Sequence, residues 1–164
     1  MTATILLVDD EDIVLNAWEK SLKPLGHQIL KAHDEKEALA ASLEHPVDLV
    51  IVDYLVRPRT GVEILAAIRK NLPLVRSILI SGKFDQRISP AELRDMVREK
   101  VEVDEYLHKP VRPKLLRQIV AKLLAGGSPD WKEIASRSRE ARAVSDQDTR
   151  EVVDKLNKHL KSRE

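Results

Sequence analysis

Five residues of this chain are of the right type and placement to act on one substrate together. Asp9 and Asp10 close the apolar run Ile5-Leu6-Leu7-Val8, and Asp53 closes Leu49-Val50-Ile51-Val52. Ser81 follows Ile78-Leu79-Ile80, and Lys109 lies just past Tyr106-Leu107. If these runs are parallel strands of one open sheet, their carboxyl ends share an edge, and the crevice along that edge is where such sheets bind ligands. Three carboxylates, a hydroxyl and an ammonium would then converge from distant parts of the sequence. Two carboxylates about 4 Å apart repel by roughly 4 kcal/mol at an effective dielectric near 20, and each raises the other's pKa unless a cation intervenes. An all-oxygen donor set favours a hard cation, and Mg2+ fits best because it keeps several waters and uses one or two carboxylates. Such an ion takes up the charge of an incoming phosphoryl group, with Lys109 as a second positive element and Ser81 as a hydrogen-bond donor. One carboxylate remains as nucleophile, and Asp53, alone at the end of a central strand, is the natural choice.

The elements that must position these residues follow from two alternating periods. The three runs ending at Asp9, Asp53 and Ser81 are continuous rather than alternating, which marks strands buried on both faces. His27–Leu30 and Val103–Leu107 read as weaker strands. Between them apolar residues recur three or four apart. Val14, Trp18 and Leu22 share a helix face followed by Gly26 as a C-cap, and Trp18 reads as core. Asp34 and Glu37 form a capping box at the start of the second helix. Ile64, Leu65 and Ile68 mark the third, Ser89-Pro90-Ala91-Glu92 opens the fourth, and Leu115, Leu116, Ile119, Val120 and Leu123 mark the fifth. Five βα units in succession imply an α/β fold with a parallel sheet covered by helices on both faces.

Composition narrows the function. Of 164 residues 43% are hydrophobic and 34% charged, which supports a folded core and argues against disorder throughout. The formal net charge of +1 gives no global field for nucleic acid or an anionic membrane. With 2 Trp, 2 Tyr and 1 Phe there is no stacking platform for single strands. The absence of cysteine excludes disulfides, iron–sulfur clusters and thiolate zinc sites. His108 has no His or Cys partner at ligand spacing and reads as structural or exposed. The start, MTATILLVDD, has neither the basic flank of a signal peptide nor the length of a membrane span. The expectation is a cytoplasmic protein with no nucleic-acid or membrane partner.

Gly126-Gly127-Ser128-Pro129 breaks the pattern and divides the chain into an expected domain over 1–125 and a charged helical extension over 126–164. From Gly127 onward 17 of 38 residues are charged, 9 basic and 8 acidic. A segment this short cannot enclose its own core. Val153, Leu156 and Leu160 recur at helical spacing, a narrow stripe suited to docking.

ILLVDDE, LVIVDYLVRPRTG, ILISG and YLHKP, in that order over about residues 3 to 125, resemble the receiver domain of response regulators in two-component and phosphorelay signalling. The resemblance implies a doubly wound, flavodoxin-like five-stranded sheet of order 2-1-3-4-5. It implies that Asp9 and Asp10 form the acidic pair, with Asp10, Asp53 and the Leu55 backbone carbonyl touching Mg2+. Asp53 then accepts a phosphoryl group from a phosphohistidine of a sensor histidine kinase or histidine phosphotransfer protein. Ser81 and Lys109 bind the phosphoryl oxygens, Ser81 moves toward them as Tyr106 turns inward, and Gly82 leaves room for the group. The Lys109–Pro110 bond is expected to be cis. Chemistry would be limited to self-phosphorylation and autodephosphorylation, so the protein is a switch rather than an enzyme. Three features depart from the family pattern: Pro58 falls one place later than is common, the segment from Ser81 to Lys109 is longer, and positions 55 and 83 are Leu and Lys. An apolar Leu55 is expected to screen the acyl phosphate and lengthen its life.

A Mg2+-dependent phosphatase of the haloacid-dehalogenase type also uses an aspartyl phosphate, a hydroxyl and a lysine. Its nucleophile lies on the first strand with a second acid two residues later, whereas here the acid pair comes first and Leu55 stands two places after Asp53. A flavodoxin-like cofactor binder would need a Ser/Thr/Gly phosphate loop where Asp9-Asp10-Glu11 stands. No G-x-G-x-x-G follows any strand. The balanced extension lacks the basic character of a DNA-binding module. Output is therefore expected through protein contact, with a homodimer or a target meeting the fourth and fifth helices and residues 128–164.

Overall fold

Runs with no polar residue to turn toward water end up between two helical layers. In the computed structural model, which describes residues 2–82, 94, 98 and 101–126, β1 (Thr4–Val8) and β3 (Leu49–Asp53) are buried at every position. They lie inside a five-stranded sheet that also holds β2 (Gln28–Ala32), β6 (Arg76–Ser81) and β7 (Glu105–His108), ordered β2-β1-β3-β6-β7. Every pairing in it is parallel. Leaving aside two short strands described below, this is the expected 2-1-3-4-5 order.

Alternate residues of each strand face opposite layers. Leu6, Val8, Val50 and Val52 pack with Ala38 of α2 (Glu35–Glu44) and with Ile64, Leu65 and Ile68 of α3 (Gly61–Asn71). Ile5, Leu7, Leu49, Ile51, Ile78 and Ile80 pack with Leu15, Trp18 and Leu22 of α1 (Asp12–Leu22) and with Leu116, Ile119 and Val120 of α4 (Pro113–Ala125). Fully burying side chains of this size stabilises by about 1.5–3 kcal/mol each. The sheet is thus held rigidly enough to fix what projects from its edge.

Element ends differ from expectation in small, explicable ways. The weak strands are displaced toward their carboxyl ends: β2 omits His27 and continues to Ala32, and β7 omits Val103 and Asp104 and continues to His108. Asp104 is diverted because its carboxylate accepts from the Ser77 amide at 2.9 Å. Gly26, at φ 75, ends a short 3-10 turn over Lys23–Leu25 rather than α1 itself, a left-handed position that glycine adopts without steric cost. Asp34 caps α2 by accepting from the Glu37 amide at 2.8 Å, but Glu37 reaches back one residue further, to the His33 amide at 2.8 Å. α4, the helix expected fifth, starts with Pro113 in its first turn.

An antiparallel hairpin that no sequence period anticipates lies between β3 and α3, formed by β4 (Leu55–Val56) and β5 (Arg59–Thr60). Its two-residue turn holds Arg57 and Pro58 with a cis bond between them, the position cis proline takes in type VI turns. The expected cis bond at Lys109–Pro110 is present as well. The start of the fourth helix at Ser89, residue Lys83 and the extension from Gly127 onward lie outside the described residues.

Candidate functional site

Strand register alone delivers most of the site to one edge. Asp53 is the last residue of β3 and pairs with Ile80, so it stands one place short of Ser81 across the ladder. Ser81 pairs with His108 at the end of β7, and the next amide, that of Lys109, donates to the Ser81 carbonyl at 2.9 Å. On the other side the Asp9 amide, just past β1, donates to the Ala32 carbonyl at 3.1 Å.

Asp9 uses both carboxylate oxygens. Oδ1 accepts from the Glu11 amide at 2.9 Å, closing a turn ahead of α1, and Oδ2 accepts from Lys109 Nζ at 3.0 Å. A turn-closing role and a site role are therefore carried by one side chain, while α1 itself has no side-chain cap. The same ammonium lies 3.4 Å from Asp53 Oδ1. Asp9 is fully buried and Asp53 nearly so, whereas Asp10 is exposed at the mouth. Carboxylate oxygens of Asp9, Asp10 and Asp53 all come within 4.8 Å of one another.

Burial drives the electrostatics. Desolvation pushes the Asp53 carboxyl up to about 6, with Lys109 opposing and Asp9 reinforcing the rise. Asp9 is also raised by burial, against its hydrogen bonds from Glu11 and Lys109. Burial would lower Lys109, but its hydrogen bond to Asp9 and the charges of Asp53 and Asp9 outweigh that and hold it above its ordinary value. With the three carboxylates ionised and one ammonium between them, the cluster carries two uncompensated negative charges. An oxygen-only donor set with that deficit suits a hard divalent cation, so the residues present fit Mg2+.

Other expected residues take definite places. Leu55 follows Asp53 in the hairpin with its side chain 44% exposed, and its amide donates to the Asp53 carboxylate. Gly82 leaves modest space, since an added Cβ would sit 3.5 Å from Lys109 Cδ. Tyr106 is buried in the core layer containing α3, and burial raises its hydroxyl pKa. The ring nitrogens of His108 are buried, and no hydrogen-bond partner meets them among the described residues.

Two residues matter more than their sequence context implied. Gly61 opens α3 so close to Asp53 that an added Cβ would collide with the Asp53 carbonyl oxygen and approach Leu79 Cδ1 to 3.1 Å, while its amide donates to the Tyr54 carbonyl at 2.6 Å. Only glycine fits there, and the sequence signals are its place as the last residue of the motif LVIVDYLVRPRTG and between the cap Thr60 and the apolar face of α3. Trp18 is core, but its ring centroid lies 5.9 Å from Lys109 Nζ. Helical spacing cannot tell a core aromatic beneath a functional lysine from any other.

Comparison with known proteins bears on the family and the fold. A family model described as the response regulator receiver domain matches residues 5–121. The phosphate regulon transcriptional regulatory protein PhoB of Pseudomonas aeruginosa is 27% identical over 127 residues, 74% of this chain and 50% of that protein. The probable transcriptional regulator ycf27 of Cyanophora paradoxa is 32% identical over 123 residues, covering 73% of this chain and 47% of the relative. The chain thus spans about half the length of the curated relatives it matches. Among solved structures, a CheY-like receiver domain protein from Methanospirillum hungatei is similar with a TM-score of 0.65 at 26% identity, over 76% of this chain and 96% of that one. The signal receiver domain of an HD domain-containing protein from Pseudomonas fluorescens gives 0.68 at 27% identity, over 76% and 96%. Receiver domains bind Mg2+ in their acidic pocket, the place taken here by Asp9, Asp10 and Asp53. No described helix is long and apolar enough to cross a membrane. By family model, fold and the acidic rim together, this chain belongs to the response regulator receiver domains of two-component signalling.

Proposed function

We propose that Asp53 is the phospho-acceptor, taking a phosphoryl group from the phosphohistidine of a sensor kinase or histidine phosphotransfer protein. The observation that carries the reading is the position of Asp53, a buried strand-end carboxylate 3.4 Å from Lys109 and within 4.8 Å of two further acids. Asp9, Asp10, Asp53 and the Leu55 carbonyl would hold Mg2+, which supplies positive charge beside the transferred group. A carboxylate oxygen of Asp53 attacks phosphorus, the O–P bond forms as the N–P bond breaks, and the donor imidazole leaves with the electron pair. Lys109, leaving its pairing with Asp9, follows the new charge, and the Ser81 hydroxyl donates to a phosphoryl oxygen. The added charge of roughly −1.5 to −2 resets Ser81 and Tyr106, and with them the surface around the helix expected from Ser89 and around α4. Reversal by water restores the carboxylate, and the exposed Leu55 side chain slows it by shielding the acyl phosphate.

Output is proposed to run through protein contact, by dimerisation or a target, using that surface and the Val153, Leu156 and Leu160 stripe. The near-equal 9 basic and 8 acidic residues after Gly126 support this over a duplex-binding face. The test is incubation with acetyl phosphate and Mg2+ followed by a phosphate-affinity gel. One shifted band that vanishes in Asp53→Asn is expected. Labelling that survives the substitution moves the nucleophile elsewhere.

A further inference from the structure

We propose that Trp18 is a positioning residue for Lys109: the buried indole face fixes where the ammonium waits beside Asp9 and Asp53, and its emission reports when that ammonium moves. The activity arm of this proposal rests on Asp53 being the phospho-acceptor; the contact itself does not.

The backbone of Lys109 is pinned by its hydrogen bond to the Ser81 carbonyl, but its long stem is not. Asp9 Oδ2 at 3.0 Å and Asp53 Oδ1 at 3.4 Å draw Nζ toward the crevice. Trp18 meets the same Nζ 5.9 Å from its ring centroid, within the range of attraction between a cation and an aromatic face. Such contacts strengthen where water is excluded, and Trp18 is only 5% exposed. Its ring is fastened in the cluster that contains Leu15, Leu22 and Leu107, so it is a fixed reference that does not follow the lysine. Phe keeps an aromatic face at this core position and Leu does not, so comparing the two substitutions separates the face from the loss of volume that both share.

The chain has 2 tryptophans, so Trp131→Phe leaves Trp18 as the sole indole. In that background, emission is measured in EDTA and again with Mg2+ and acetyl phosphate, for the parent and for Lys109→Met. The substitution is expected to alter Trp18 emission already in EDTA. Phosphorylation conditions are expected to change emission in the parent and not in Lys109→Met. Labelling of Asp53 is expected to stay near the parent rate in Trp18→Phe and to slow by about 3- to 10-fold in Trp18→Leu. Emission indifferent to Lys109→Met, or Trp18→Leu labelling as fast as the parent, overturns the proposal. Should Trp18→Leu not fold, judged by circular dichroism, the emission comparison decides alone. A parent that takes no label defeats the reading of Asp53, while the EDTA comparison still passes or fails on the Trp18–Lys109 contact.

Discussion

β6 and β7 carry a polar cluster at each end, and the two are built on opposite plans. At the amino ends Asp104, with a side chain 6% exposed, accepts from the Ser77 amide at 2.9 Å and its hydroxyl at 3.4 Å. Arg76 at 3.8 Å and Arg69 at 4.0 Å flank it. Arg69 also donates to the carbonyls of Val75 and Glu102, tying α3 to the approach to β7. There two guanidinium groups flank one carboxylate. At the carboxyl ends one ammonium pairs with two buried carboxylates, and a third, exposed one lies beside them. The carboxylate of the first cluster is held by protein donors; the second cluster is short of positive charge, and that shortage supports its proposal as the working end.

The contrast can be broken from either side. The largest effect is expected from Asp104→Ala, which removes the acceptor of the Ser77 amide and the counter-charge beside Arg69 and Arg76: a loss of about 4 kcal/mol in urea unfolding, with Asp53 labelling under native conditions kept. Asp53→Asn should do the reverse. The Asp53 carboxyl is raised from 3.8 to about 6 in the folded protein. Its stabilising contribution is therefore complete below about 3.8 and lost as pH rises through about 6. At pH 7 in EDTA the variant is expected to be more stable by about 3 kcal/mol, and the gain should close by pH 4. A gain that persists there would mean packing, not charge, is relieved.

Gly61→Ala sharpens the comparison by moving backbone rather than charge. The Cβ forces α3 away from the Asp53 carbonyl, and a loss of about 2 kcal/mol is expected, together with slower labelling. An effect on stability alone would show that the crevice tolerates displacement of α3. The smallest effect belongs to His33, which pairs with Glu37 at 2.9 Å and with Asp12 on the exposed flank of the rim. Hydrogen bonds to Asp12 and Glu37 raise its pKa above 6.5, so its contribution is complete below 6.5 and fades as pH rises through the higher folded value. Exposure keeps such pairs below about 1 kcal/mol. His33→Ala should therefore lower stability slightly at pH 6 and leave it unchanged at pH 9.

The sequence carried the sheet and the rim because both depend on strand identity. Continuous runs such as Leu49–Val52 can be buried only between two layers, and a parallel ladder then sends Asp9, Asp53 and Lys109 to one edge whatever the loops do. What it withheld depends on relations between loops. The hairpin at Leu55–Thr60 has strands of two residues, too short to show any period. The shift of Glu37 from Asp34 to His33, and the meeting of Trp18 with Lys109, are choices among equally spaced partners that only packing decides.

The hairpin beside Asp53 has one more implication. It is closed at its base by Gly61 on Tyr54 and pairs Leu55 with Thr60 and Val56 with Arg59. Val56 points inward and is fully buried, while Leu55 points outward at the lip of the pocket. The frame is thus anchored by one neighbour and leaves the other open to exchange. On the proposed function, position 55 acts as an interchangeable shutter: polar or charged substitutes there are expected to reset how long a signal persists, with little penalty to the fold that carries it.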